Sequence, residues 1–213
     1  PRTITLRELA NHWRAQQVSS KGNPLSPTTL REYQRLIEST LRTFADLPIR
    51  AITRQQIEKW RAPELRRAPN QTVKAYKHLK TLMTWAHKRS WVAVNPCDIE
   101  RGSAYTPSEP PAPTKAQVEI MLDSASEQFK VVIALAAFGG LRKGEIFELR
   151  RKDLVAIEDQ GERWVQVSVS RGVVWDGNQA VVRKPKSEAG VRTLLLPLRI
   201  SDLYSRSDHR ATG

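Results

Sequence analysis

The sequence predicts a mainly α-helical protein with a small antiparallel β-sheet in its second half. Apolar residues recur at helical spacing through residues 3–101, whereas from Trp164 they alternate with polar residues, as in half-buried strands. Between these regions, residues 102–113 contain four prolines and no periodicity, which is typical of a semi-rigid linker. We therefore predict a helical domain at residues 1–101 and a second, mixed domain at residues 114–213.

The charge of the chain is strongly and unevenly positive. It carries 35 Lys and Arg against 22 Asp and Glu, a formal net charge of +13. Residues 1–101 alone hold 19 basic and 8 acidic side chains. Such an excess favours a polyanionic partner. We therefore expect the first half of the chain to provide the main electrostatic contact with nucleic acid.

Cysteine usage and hydropathy exclude several classes of protein. Cys97 is the only cysteine, so no internal disulfide can form, and Cys/His zinc spacing is absent. We therefore assign no metal ligands. No apolar stretch reaches the roughly 20 residues of a membrane-spanning helix, and the first residues have no apolar signal region. The sequence predicts a cytoplasmic protein without membrane contact.

Two amphipathic helices are predicted at the start of the first domain. Thr5 precedes a segment whose apolar residues fall on one helical face. Ser26-Pro27 opens the next helix, because serine is a common N-cap and proline suits a first turn. The apolar stripe of this helix continues to Phe44. The pattern therefore predicts one helix over residues 27–44.

Capping boxes predict the starts of two further helices. In such a box, the side chains of two residues three positions apart each bond the backbone N–H of the other. Thr53 and Gln56 form one box before a short helix over residues 54–60. Thr114 and Gln117 form another, which opens the second domain.

Basic side chains recur on these helices and on a long helix from Gln71 to Arg89 that Asn70 is predicted to cap. A basic helix face is usually only solvated, but the excess positive charge favours phosphate contact. The candidate DNA-binding residues are Arg31, Arg35, Arg42, Lys74, Lys77 and Lys88. His78 and His87 are interpreted as surface residues, because no acid or cysteine stands at metal-ligand spacing from them.

The second domain is centred on residues 131–154. Seven apolar residues at 131–137 predict a buried helix, which the Gly139-Gly140 pair ends because glycine enters left-handed conformations without penalty. A second helix is expected to start at Arg142 and to include Leu149. The planar fork of an arginine can donate two parallel hydrogen bonds to a phosphate. A solvated surface arginine is the simpler alternative.

The end of the second domain is predicted to form the sheet. Residues 164–175 alternate between apolar and polar, and the Asp-Gly-Asn sequence at 176–178 is a strong hairpin-turn signal. Two more strands follow, at residues 179–186 and 191–197. Together they predict an antiparallel three-stranded sheet. The leucine run at 194–196 predicts a last strand that is buried on both faces.

Two segments resemble the catalytic boxes of the tyrosine site-specific recombinases of the phage-integrase type. In the first box, an apolar helix is followed by the pattern G-L-R-x-G-E and then by a leucine and an aspartate. The matching residues are Gly140, Leu141, Arg142, Gly144, Glu145, Leu149 and Asp153. Residues 185–193 resemble the lysine hairpin of the family, P-K-T/S-x-x-G/S-x-R-T.

The resemblance implies a fold and partners. The first domain is similar in pattern and length to the SAM-like core-binding bundle of the family. The second would be an incomplete α+β recombinase catalytic domain, and the two would close as a clamp around double-stranded DNA. Other integrase protomers on the same DNA are expected partners. The protein would be bacterial or phage-encoded.

The resemblance also implies the roles of individual residues. Arg142 would stabilise the negative charge of a phosphoryl-transfer transition state. Lys186 would be the general acid that protonates the leaving oxygen, with Lys184 as a neighbouring rival. Glu145 would orient the Arg142 helix or pair locally. The family mechanism needs no metal and no cofactor, because a covalent tyrosine–DNA intermediate stores the bond energy.

The later parts of the family pattern are missing from this sequence. No H-x-x-R follows the lysine hairpin, and Tyr204 comes far too soon after Lys186 to be the nucleophile. We therefore expect a truncated chain that supplies no nucleophile and by itself neither cuts nor joins DNA. Two alternatives are a non-catalytic DNA-binding regulator derived from an integrase and a basic RNA-binding or scaffold protein.

Overall fold

The computed structural model describes residues 4–16, 24–100, 102, 104, 110–159, 161–185 and 188–197. As predicted, these residues are mainly helical, with small antiparallel sheets. The chain divides into two compact units, Pro1–Glu109 and Pro110–Gly213, called here the first unit and the second unit. In the described ranges, no helix combines the length and the apolar character needed to cross a membrane.

The described part of the first unit is built from helices. They are α1 Leu6–Gln16, α2 Pro27–Glu38, α3 Arg42–Ala45, α4 Arg54–Arg67 and α5 Pro69–Lys88, with a 3₁₀ helix at Ile49–Ala51. The caps predicted at Ser26 and Thr53 are confirmed. Ser26 accepts a hydrogen bond from the Thr29 N–H at 3.2 Å, and Thr53 and Gln56 form the reciprocal box that starts α4.

The single helix predicted over residues 27–44 was wrong. α2 ends at Glu38, and the Leu41 N–H donates to the Leu36 carbonyl at 2.8 Å, so the chain turns before α3 begins. The apolar stripe nevertheless survives the turn, because Leu41 and Phe44 are both buried. Periodicity alone therefore does not reveal the break.

Two other helix boundaries also differ from the prediction. α4 continues through Pro63 to Arg67 rather than ending near residue 60, and its last turn is closed by a 2.8 Å bond from the Ala68 N–H to the Glu64 carbonyl. α5 begins at Pro69, whose fixed φ suits a first turn, so the next residue, an asparagine, lies inside the helix rather than capping it.

An apolar cluster fills the centre of the first unit. The buried face of α5, which includes Tyr76, Leu79 and Met83, packs there with apolar side chains of the other helices. The Tyr76 hydroxyl donates to the Cys97 carbonyl at 2.9 Å, so this large aromatic ring is buried without an unpaired hydroxyl. α5 is therefore fixed on one side by the core.

His78 also belongs to this core, so its assignment to the surface was wrong. The residue is 3% exposed, its ring stacks on Tyr33 with centroids 4.2 Å apart, and it meets Trp13 edge-on at 5.4 Å. Burial, assisted by the charge of Arg14, lowers the pKa of His78 to about 4. His87 is exposed, as predicted.

The described helices of the second unit are α6 Lys115–Ser124, α7 Glu127–Ala137 and α8 Lys143–Ile146. The capping box at Thr114 and Gln117 is confirmed as the start of α6. The helix predicted to include Leu149 is only one turn long. That turn is α8, and a 3₁₀ helix at Arg151–Asp153 follows it.

The apolar run at residues 131–137 forms the end of α7 but is buried on one side only. Val131, Ala134 and Leu135 are buried, whereas Phe138, just past the end of the helix, is exposed. Within the described residues, the predicted buried helix is therefore buried along one side. The buried side of α7 packs in a cluster with Leu141 and with strand residues of the second unit.

The described strands are β1 Leu154–Asp159, β2 Glu162–Val169, β3 Gly172–Asp176, β4 Gln179–Arg183 and β5 Arg192–Pro197. β1, β2 and β5 form an antiparallel three-stranded sheet in the order β1-β2-β5, with Val167 opposite Leu194. β3 and β4 form a separate hairpin around the predicted turn, where Gly177 has a φ of 65°.

The antiparallel pairing of the sheet was predicted correctly, but β1 was not predicted, and the single strand predicted at residues 164–175 is divided into β2 and β3. Leu195 is 55% exposed, so β5 is not buried on both faces.

Candidate functional site

The turn after α7 anchors one side chain in the core and presents the next to solvent. Gly140 has a φ of 59°, which favours glycine. The N–H groups of Gly139 and Leu141 both donate to the Leu135 carbonyl, at 3.1 and 3.3 Å, and the Leu141 side chain is buried. Arg142 directly precedes α8, and its side chain is 77% exposed. The fold therefore supports this arginine firmly while leaving its guanidinium accessible.

Gly144 lets α8 lie directly against β3. A Cβ at this position would be 2.4 Å from the Val173 carbonyl oxygen, so a larger residue would push the two elements apart. On the β3 side, a Cβ at Gly172 would be 3.3 Å from the Gly144 backbone. The close approach sets the distance between α8 and β3 directly after Arg142.

Glu145 lies below the turn, with its side chain 8% exposed. Its Oε2 accepts from the Arg142 backbone N–H at 2.9 Å, and its Oε1 accepts from Arg142 Nη1 at 3.1 Å. Arg192, at the start of β5, donates from Nη2 to Oε2 at 2.9 Å and from Nη1 to Oε1 at 3.1 Å. The Arg192 bonds, followed by those of Arg142, lower the pKa of Glu145 to about 2. The carboxylate is therefore ionised at neutral pH.

A second buried carboxylate, Asp153, supports the chain after α8. It accepts from the Arg150 N–H at 2.8 Å and from Arg171 Nη1 at 3.2 Å. Arg171 Nε also donates to Glu148 Oε1 at 3.3 Å. Arg171 therefore joins two carboxylates and ties this segment to the chain between β2 and β3.

The proposed catalytic lysine, Lys186, lies outside the described residues. Its rival Lys184 follows β4 and is exposed. Next to them, Gly190 packs so closely on Pro185 that an added Cβ would be 2.4 Å from the proline Cβ. The structure therefore describes the base of the lysine hairpin but tests neither lysine assignment.

Arg192 is the residue whose role the sequence did not reveal. The sequence comparison matched Arg192 to the arginine of the lysine-hairpin motif but assigned it no role. In the structure, its side chain links that motif to the Arg142 turn. Besides Glu145, its guanidinium reaches the Gly140 carbonyl at 3.4 Å from Nη2 and the Gly190 carbonyl at 3.4 Å from Nη1. One side chain therefore joins the two segments that carry the resemblance.

A second basic site lies in the first unit, along α5. It is a groove of about 490 Å³ lined by Trp13, Lys77, Lys80, Thr81, Thr84, Trp85 and Lys88. The three lysines are exposed, and none of them takes part in an ion pair with the residues that the structure describes. Uncompensated ammonium groups in a row attract anions.

The predicted basic residues of α5 differ in their surroundings. Lys77 and Lys88 line the groove, whereas Lys74 is exposed on the same helix but is not among the groove residues. Lys80 was missed, although its spacing of three from Lys77 places it beside that residue on the helix surface. Trp85 was missed as well, and Arg89 covers its ring at 3.8 Å.

The predicted arginines before α4 lie outside the lining of this groove. Arg35 is engaged with its neighbours, because it donates to Glu32 at 2.8 Å and to Gln71 at 2.8 Å. Arg31 is exposed on α2. Arg42 belongs to α3 rather than to α2, so the three arginines do not share one helix face.

Comparisons with known proteins identify the family. Residues 6–95 match the model of the phage integrase core-binding domain. A putative prophage phiRv2 integrase of Mycobacterium tuberculosis is 31% identical over 179 residues, which are 83% of this chain and 46% of that protein. This chain therefore contains the core-binding domain of the phage-integrase family. The integrase of Mycobacterium phage D29 is 28% identical over 199 residues, or 93% of this chain and 50% of the phage protein.

Solved structures share the fold of this chain. The Tn1549 transposon integrase in complex with a circular intermediate DNA superposes with a TM-score of 0.72 and 18% identity, over 97% of this chain and 66% of that one. A lambda integrase dimer bound to a COC' core site gives 0.64 and 15%, over 99% and 56%. At these identities, the similarity shows the fold alone. The chain spans about half the length of the curated relatives described above.

Proposed function

We propose that this chain is the DNA-binding part of a phage or mobile-element integrase and that it carries the first catalytic arginine of site-specific recombination. The observation that carries the proposal is the groove along α5, where Lys77, Lys80 and Lys88 are exposed and not ion-paired with described residues. Double-stranded DNA presents a dense row of phosphates to such a surface. Similarity to integrases whose structures contain DNA supports the same partner.

The groove is suited to the DNA backbone rather than to a small anion. Its lysines occupy three turns of one rigid helix, and Thr81 and Thr84 lie between them. The two threonine hydroxyls donate to carbonyls of the same helix, so the ammonium groups are the phosphate contacts, and such contacts fix a protein on the duplex without reading sequence. We therefore assign α5 the role of holding the protein on DNA.

Arg142 is assigned to the phosphate at which the strand is cut. Its guanidinium is exposed, while its backbone is held by Glu145 and by the turn that buries Leu141. A preorganised donor of this kind stabilises charge that develops in a transition state. Lys186 is proposed as the general acid on the family pattern, and no nucleophile is assigned within these 213 residues.

The proposal is tested by the salt dependence of binding to a fluorescent DNA duplex. Each neutralised phosphate contributes about 0.9 to the slope of log affinity against log salt. The Lys77→Glu/Lys80→Glu/Lys88→Glu variant should therefore lose at least about 2.7 from the slope of the unmodified chain. Its affinity should fall by orders of magnitude.

The matched control reverses three basic residues of α4, Lys59, Arg66 and Arg67, to Glu, which changes the net charge equally. This variant should keep most of the slope, since α4 is not part of the groove. Equal losses in the two variants would mean that only net charge matters. Stronger binding to an RNA duplex than to DNA would favour the RNA-binding alternative and would contradict the proposal.

A further inference from the structure

We propose that Arg192 is a positioning residue for Arg142: it holds the Glu145 carboxylate and so leaves the Arg142 guanidinium available to a DNA phosphate. The inference rests on the proposed function, because it presumes that Arg142 contacts DNA. Arg192 itself is three-quarters buried and is turned toward the protein. It therefore acts through Arg142 and is not a DNA contact.

Two arginines compete for one carboxylate. Arg192 takes both oxygens of Glu145, at 2.9 and 3.1 Å, in the two-pronged geometry that planar guanidinium groups favour. Arg142 makes one side-chain bond to the same group, from Nη1 at 3.1 Å. Within the described residues, its guanidinium has no other partner. Most of its N–H donors are therefore unused among the residues that the structure describes.

Loss of Arg192 would leave Glu145 with Arg142 as its remaining arginine partner. Glu145 is nearly buried, and a buried carboxylate without a partner is costly, so it would recruit the nearest remaining cation. That cation is Arg142, which is already bonded to it. A guanidinium drawn fully onto Glu145 would offer fewer donors to a phosphate, and its charge would be cancelled.

Arg192 also contacts the turn itself. Through the Gly140 and Gly190 carbonyls, it bonds the loop before Arg142 and the base of the lysine hairpin at the same time. These contacts are longer than the 2.9 and 3.1 Å bonds to Glu145, so the bonds to Glu145 carry the positioning. A lysine could replace the charge but not this simultaneous set of bonds.

The test is a double-mutant cycle on the full chain, read as the salt slope of duplex binding. Arg142→Ala should lower the slope by about 0.9, which corresponds to one phosphate contact and roughly five-fold weaker binding at 0.15 M salt. Arg192→Ala should lower it by the same amount. The double variant should lose about 0.9 rather than twice that value, because both changes remove one contact.

Arg171→Ala is the matched structural control. Arg171 also pairs with a buried carboxylate of the second unit and is similarly shielded, but its partners are Asp153 and Glu148 rather than Glu145. It should lower the melting temperature of the second unit without changing the salt slope. A slope loss in Arg171→Ala equal to that in Arg192→Ala would overturn the inference, since general destabilisation would then explain both.

A rescue variant separates positioning from damage to the fold. Glu145→Gln combined with Arg192→Ala removes both members of the buried pair and leaves no carboxylate to capture Arg142. A glutamine oxygen can still accept from the Arg142 N–H, as in an ordinary capping box. We expect the salt slope to return to within about 0.3 of the unmodified chain, against the 0.9 of a lost contact.

The outcomes distinguish this inference from the function on which it rests. An unchanged slope in Arg142→Ala would refute the assignment of Arg142 to a phosphate, and the inference would fall with it. A reduced slope in Arg142→Ala with an unchanged slope in Arg192→Ala would refute the inference alone. An additive loss in the double variant would mean that Arg192 binds DNA itself, and it would also refute the inference.

Discussion

The first unit is held together by apolar packing, whereas the candidate site of the second unit is built from buried charges. In the first unit, large side chains such as Leu79 share one core, and ion pairs such as Arg54–Glu58 lie at the surface. In the second unit, Glu145 and Asp153 are buried among arginines beside a small apolar cluster. The lysine groove can therefore be altered without disturbing its support. At the Arg142 turn, the support and the site share the same residues.

The largest effect expected from this contrast is an acid sensitivity of the first unit. His78 is neutral in the core with its pKa lowered to about 4, against an ordinary value of 6.5. Between these values the unfolded chain binds more protons than the folded one, so the free energy of unfolding falls as the pH falls. The expected loss between pH 6.5 and pH 4 is roughly 3 kcal/mol. It can be measured by urea unfolding across this range.

His78→Phe is the control for this prediction. The phenylalanine keeps an aromatic ring against Tyr33 but cannot take up a proton, so most of the loss between pH 6.5 and pH 4 should disappear. His87→Ala removes an exposed histidine, so this variant should keep the full loss of unfolding free energy between pH 6.5 and pH 4. A pH dependence that is unchanged in His78→Phe would show that other groups cause it.

The second unit should respond at lower pH. The folded-state pKa of Glu145 is lowered from 4.5 to about 2, so its stabilising contribution is complete above pH 4.5 and is lost as the pH falls toward 2. NMR signals of α5 should therefore weaken before those of the β1-β2-β5 sheet during acidification. The opposite order would contradict the prediction that the first unit loses stability at a higher pH than the second.

A smaller difference in unfolding free energy is expected between the loss of a buried ion pair and the loss of an exposed one. Among the described residues, Arg171→Ala leaves the buried Asp153 with the Arg150 N–H as its remaining hydrogen-bond donor, which should cost about 2 kcal/mol of unfolding free energy. Arg54→Ala removes an exposed pair on α4 and should cost less than about 1 kcal/mol. Denaturant unfolding of the two variants measures the difference. Equal costs would show that the charged pairs of the second unit are no more important than surface pairs.

The sequence predicted the features that depend on neighbouring residues. The caps at Ser26, Thr53 and Thr114 were correct because each bond spans only three positions. The resemblance likewise located the Arg142 turn, since its pattern is continuous in the chain. The bond from Arg192 to Glu145 joins residues 47 positions apart, so no local pattern contains it.

Tertiary contacts decided the features that the sequence did not predict. His78 follows Lys77 directly and has the polarity of a surface residue, but Tyr33 and Trp13 from other helices cover it. The β3-β4 hairpin likewise lies against α8 through Gly144 and Val173, which come from different parts of the chain. Alternation of residues predicts strands, but it does not say which strands pair.

The central claim is that each unit carries a basic site for DNA phosphates, and a structure of the chain bound to duplex DNA tests it most directly. The ammonium groups of the α5 lysines and the guanidinium of Arg142 should lie about 2.7–2.9 Å from phosphate oxygens. Arg192 should remain on Glu145. A complex in which the groove of α5 faces away from the duplex, or in which Arg142 reaches no phosphate, would contradict the account.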